Sequence, residues 1–141
     1  MSRRRWAAGL ALVAVLALPA CKASEESSAS SGYEPFELEE IEGSDALKVI
    51  LNELAAQRIQ LATEPVATSG DRLVVPESAI WIDVEGQEWV YTNPEPLAFV
   101  RAAVEVDRYE DGRAFLTDGP PTGTEVVSVG VAELIGSEFG I

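Results

Sequence analysis

The chain has 141 residues, no His, a single Cys and a formal net charge of −14. That length suits one domain, and the missing His and solitary Cys exclude Cys/His zinc sites, soft-metal sites and the usual base of nucleophilic triads. Nucleic acid is a poor partner for so acidic a chain, because phosphate binding needs clustered Lys and Arg, and Lys22 and Lys48 are the only lysines. The acidity reads first as a solvated face, and second as a match to a basic partner surface or a weak divalent-ion site.

At the N-terminus, Arg3-Arg4-Arg5 precede an apolar run from Trp6 to Leu18. The run is short for a bilayer span and polar sequence follows it, the pattern of a secretory signal peptide over residues 1–20. Its end, Leu18-Pro19-Ala20-Cys21, resembles a bacterial lipobox, with an aliphatic residue, a small residue and then Cys. The resemblance implies cleavage before Cys21 and a diacylglyceryl thioether on its sulfur. A thiolate is the nucleophile suited to that alkylation, and each buried acyl CH₂ contributes about 0.8 kcal/mol to membrane anchoring. The expected address is the extracytoplasmic face of the cell membrane, held by lipid on Cys21. Without the three leader arginines the formal charge becomes −17.

Residues 21–35 read as the lipidated Cys followed by a flexible tether, since KASEESSASSG has no apolar run to repay its ordering entropy. Phe36 to Ile41 alternates apolar and acidic residues, as an edge strand would. Gly43-Ser44-Asp45 breaks it. A short strand is expected near 47–51, a helical turn or two near 52–57, and renewed β alternation over Ile59–Val66 with Ile59 and Leu61 on one face. Pro65 argues for an edge or a bulge there, and Thr68-Ser69-Gly70-Asp71 for a turn.

The remainder, Leu73 to Phe139, is a series of short β-type runs. Leu73–Pro76 is one strand. Ile80–Val84 and Glu88–Thr92 form a hairpin around Glu85-Gly86-Gln87, and Asn93-Pro94-Glu95-Pro96 is a loop. Phe99–Asp107 alternates strictly and returns through the Asp111-Gly112 turn into Arg113–Thr117. A rigid loop at 118–123, a strand at Val126–Val129 and a helical turn at Val131–Ile135 closed by Gly136 complete the chain. The fold expected is mainly β, a small antiparallel roll or barrel with one or two short helical turns.

Trp81 and Trp89 on the hairpin arms read as core or cross-strand packing, with a ligand platform as the alternative. With Tyr91 they are the candidate interaction surface. Asp83, Glu85 and Glu88 surround the hairpin turn, but their spacing does not match a calcium loop. No catalytic set, metal site or cofactor is expected, because nothing supplies a nucleophile, a base and an oxyanion hole together.

The order of several segments resembles the periplasmic adaptor (membrane fusion protein) family of efflux pumps. These are Leu73-Val74-Val75-Pro76 with Ser78-Ala79-Ile80, Glu88–Tyr91, Phe99–Val106, Asp118-Gly119, Gly123–Val127 and Ala132-Glu133-Leu134. The tail Gly136–Ile141 is similar to that of the family's heavy-metal-type members. The resemblance covers about residues 36–141 and implies the family's membrane-proximal domain, which contacts an inner-membrane transporter. Full adaptors also carry lipoyl, coiled-coil and barrel segments between the counterparts of Leu51–Val66 and Leu73–Phe139. Here Thr68–Asp71 joins those two stretches directly. The expectation is a lipid-anchored, non-catalytic module that docks on a membrane transporter. The alternative is an envelope lipoprotein that binds a small ligand or wall polymer through its Trp-bearing hairpin.

Overall fold

The computed structural model describes residues 33–141, so the expected signal peptide, Cys21 and the expected tether up to residue 32 lie outside the described residues. The order is β1 (Phe36–Glu40), β2 (Leu47–Leu51), α1 (Glu53–Arg58), β3 (Ala62–Pro65), β4 (Ala67–Ser69), β5 (Arg72–Pro76) and β6 (Trp81–Ile82). Then follow β7 (Glu88–Glu95), β8 (Ala98–Glu110), β9 (Arg113–Asp118), β10 (Glu125–Val129) and α2 (Val131–Phe139). The architecture is mainly β, a curled antiparallel half-barrel with two short helices.

Hydrogen-bonded strands run in the order β3-β10-β7-β8-β9-β5-β4. The two end strands are one stretch of chain, joined by Val66 alone. Its first half pairs with β10 and its second half with β5, so the bend at Val66 links the sheet's two ends. Val66 N–H donates to the Thr124 carbonyl and its own carbonyl accepts from Gly123 N–H, both at 2.8 Å. Arg113 on β9 reaches Glu64 on β3 at 3.0 Å. That pair is exposed and contributes about 0–1 kcal/mol.

Alternation along the strands supplies two cores, one on each face of the sheet. Val66, Val75, Val90, Val104, Leu116 and Val126 meet on one face. Their chain neighbours Tyr91 and Val127 point the other way and pack with Val49, Leu51, Phe99 and Leu134. The second group is roofed by α2, which contributes Leu134, and its Val49 and Leu51 come from β2, hydrogen-bonded to β8 in the sheet. The 13-residue β8 pairs with β7 over Ala98–Val104 and with β9 from Glu105 onward. Register shifts around Asp107 mark the change of partner and increase local twist.

Several boundaries differ from the sequence expectation. Ile59 caps α1 and Gln60 takes a φ of 53°, so β3 starts only at Ala62. The helix itself starts where Asn52 accepts from Ala55 N–H at 2.8 Å, an N-cap. Asn93-Pro94-Glu95 belongs to β7 rather than to a loop. A register shift absorbs Pro94, and the Asn93 side chain donates to the carbonyls of Glu95 and Ala98. Gly136 does not end α2. The helix continues to Phe139 and stops at Gly140, in the left-handed conformation with φ 69°. A Cβ on Gly136 would lie 3.0 Å from the Ile141 carbonyl oxygen, so glycine there admits the returning chain end.

Leu116 is fully buried in the first core. Leu116→Ala should cost about 2–5 kcal/mol, read as a lower urea midpoint with an unchanged slope.

Candidate functional site

The two tryptophans lie directly opposite each other, Trp81 on β6 against Trp89 on β7. Residues two apart on a strand share a face, so Tyr91 joins them. Trp81 stacks on Trp89 at 6.1 Å between ring centroids and on Tyr91 at 5.9 Å, while Phe139 of α2 meets Trp81 edge-on at 6.1 Å. Offset and edge contacts of this kind are favourable beyond the area they bury.

Arg101, the cross-strand partner of Tyr91, lays its guanidinium over Trp89 at 4.8 Å and over Phe139 at 5.2 Å. One nitrogen donates to the Asp45 carbonyl at 3.1 Å. Its Nε sits 3.2 Å from Glu138 Oε1, within ion-pair range but off the hydrogen-bond axis. Glu138 is almost wholly buried and is the hub of the cluster. It accepts from the Tyr91 hydroxyl at 2.6 Å and from Leu47 N–H at 3.2 Å. Burial, then the Glu138 hydrogen bond and charge, hold the Tyr91 hydroxyl far above the ordinary tyrosine range. Tyr91 therefore stays a proton donor to the carboxylate.

Asp83 organises the turn between β6 and β7. Its Oδ1 accepts from Glu85 and Gln87 N–H, and its Oδ2 from Trp89 Nε1–H, all at 2.9 Å. The indole hydrogen bond is the largest cause of an Asp83 pKa below the ordinary carboxylate value. Glu88 accepts from Val106 N–H at 2.9 Å, satisfying a donor at the β8 irregularity, and from the Tyr109 hydroxyl at 3.3 Å. Among the described residues, no group of three or more His, Cys, Asp or Glu is placed to hold a metal.

Sequence reasoning placed Trp81, Trp89 and Tyr91 together, and the structure joins them. Tyr91 is nevertheless no part of a surface. It is fully buried, because alternation turns it under α2, and it supports the cluster rather than presenting itself. Trp81 and Trp89 are half-buried and already covered by each other, Arg101 and Phe139. Arg101 and Glu138 went unread. Each occupies a position that looks solvent-facing in an alternating strand or a short helix, and 37 residues of chain separate them. Lipidation of Cys21 concerns a residue outside the described range.

One accessible recess lies against α2. Phe36, Ala132, Glu133, Gly136, Ser137 and Ile141 line its volume of about 420 Å³. Ile141 stands there at 90% exposure, while Phe139, which packs against Trp81 and Arg101, is 47% exposed. The chain matches no protein-family model and no curated protein sequence. The site's ionic and aromatic groups are engaged with one another, and the accessible part is an apolar rim.

Glu138→Ala leaves the Arg101 guanidinium buried without its counter-charge and should cost about 3–5 kcal/mol; calorimetric melting of the variant beside Glu138→Gln, which keeps the shape, checks this. Asp83 gives a pH signature. Its folded pKa is depressed, so its contribution is complete above the unfolded value and is lost as pH falls through the folded one. Acid titration of stability should show this component in the wild type and lose it in Asp83→Asn.

Proposed function

We propose that the protein is a lipid-anchored extracytoplasmic module, without catalytic activity, that docks on a membrane transporter or a related membrane complex. Anchoring is supported by the lipobox-like Leu18–Cys21 ahead of a Ser- and Glu-rich tether. The transporter as partner is supported by the ordered resemblance of residues 36–141 to the membrane-proximal part of periplasmic adaptors. The observation that carries docking is the recess against α2, to which Phe36, Ala132 and Ile141 present apolar surface. Exposed apolar residues grouped around a concavity are a common mark of protein–protein contact.

The ligand-platform reading of the hairpin has less support. Both indoles already have stacking partners, and Trp89 Nε1–H is spent on Asp83. A stacking ligand would have to displace the Arg101 guanidinium from the face of Trp89.

Cys21→Ala should move the protein from the membrane pellet to the soluble extracytoplasmic fraction. Retention in the pellet would rule out the lipid as its anchor. Crosslinking in native membranes should recover an integral-membrane transporter with the wild type. Repeated recovery of none would count against the docking reading.

A further inference from the structure

Strand β1 pairs with β2 along one edge only. Its other edge makes no backbone hydrogen bond among the described residues. An unpaired strand edge is a ready template for a further strand.

The two faces of β1 differ in chemistry. Phe36 and Leu38 lie opposite Leu51 and Val49, the residues of β2 that enter the core beneath α2. Phe36 lines the recess together with Ala132, Gly136 and Ile141, and Leu38 is 43% exposed. Glu37 and Glu39 lie opposite Ile50 and Lys48, on the other face. Lys48 neutralises Glu39 at 3.1 Å. Glu37 has no cationic partner among the described residues, Glu40 ends the strand on the Phe36 face, and Glu42 adds negative charge past the strand's end.

We propose that the free edge of β1 binds an extended segment of a partner protein in which apolar and basic residues alternate. The inference rests on the docking reading and supplies the chemistry of the docking segment. Main-chain bonds to β1 would give affinity, and the alternating side chains specificity. Apolar residues on one face would continue the row of Phe36 and Leu38 towards the recess, while Lys or Arg on the other would meet Glu37 and Glu39. A second copy of this chain is the wrong occupant. Antiparallel β1–β1 pairing centred on Leu38 would set Glu37 of each copy opposite Glu39 of the other and Glu40 opposite the apolar Phe36, and like charges across strands are destabilising.

The test uses the full chain, purified from membranes in detergent and titrated by calorimetry with a peptide of about eight residues alternating Lys and Val. A peptide of the same composition with its lysines and valines in separate blocks is the control. The alternating peptide should bind, with affinity falling as salt rises, and the block peptide at least about tenfold more weakly, because its side chains cannot segregate by face. Glu37→Lys combined with Glu39→Gln should weaken binding about tenfold, and Ala132→Asp at the recess rim should also weaken it. Equal binding of the two peptides, no binding of the alternating one, or unchanged affinity in the charge variant overturns the proposal. So does a dimer of the wild type that pairs through β1. If the charge variant melts early, amide exchange of the wild type decides. Peptide-induced protection of β1 supports the proposal, and protection confined to other strands overturns it. Recovery of a transporter by crosslinking while the peptide is ignored would sink this inference and leave the docking reading standing.

Discussion

Val66 sits where one extended segment leaves β10 and joins β5, and both its peptide groups find partners across the gap, at Thr124 and Gly123. A curled sheet has two edges whose donors and acceptors must be satisfied or guarded. Here one short stretch serves both ends. Because its halves belong to different neighbours, the strands between them must arc far enough to bring β10 and β5 within reach of one bend. That arc turns Val75, Val90, Val104, Leu116 and Val126 inward onto Val66. The register shifts of β8 near Asp107 help supply the curvature, and Glu88 compensates by accepting the Val106 N–H there.

A second constraint acts on the outer face. Helix α2 buries Leu134, but a helix of nine residues has little stability of its own. Glu138 links it to three strands at once, through Leu47 on β2, Tyr91 on β7 and Arg101 on β8. Removing both charges from water is costly, and a buried ion pair is poor evidence for net stability. Its contribution here is to position. The carboxylate sets the helix where Phe139 closes over Trp81 and Arg101, leaving the opposite flank of α2 beside Phe36 as a recess.

The two constraints together distribute chemistry over the domain. Aromatic and ionic groups that resemble a binding site in the sequence are consumed in holding α2 to the sheet. What stays accessible is the recess, Ile141 and the acidic strand β1. Such a distribution suits the proposed tethered docking module. The acidity then has two sides. It keeps the surface hydrated, and in the proposed docking it selects between partners along β1 by charge.

Much of the fold was legible because its signals are local. Alternation announced β8, Asp111-Gly112 announced its hairpin with β9, and the expected helix near 52–57 lies one residue from α1. Errors fell where a distant partner decides. Asn93 and Pro94 have loop chemistry, yet the neighbouring strand draws them into β7. Gly136 has the look of a helix stop, yet the returning Ile141 carbonyl explains its missing side chain. By itself the sequence determined the β class, the turns, the acidic surface and the pairing of Trp81 with Trp89, all set by backbone preference, charge and short-range periodicity. Only the tertiary structure decided that Tyr91 is internal, that Arg101 and Glu138 form the hub, and that β1 keeps one edge open among the described residues. Those outcomes depend on which residues meet after the chain has curled, and no local pattern records such a meeting.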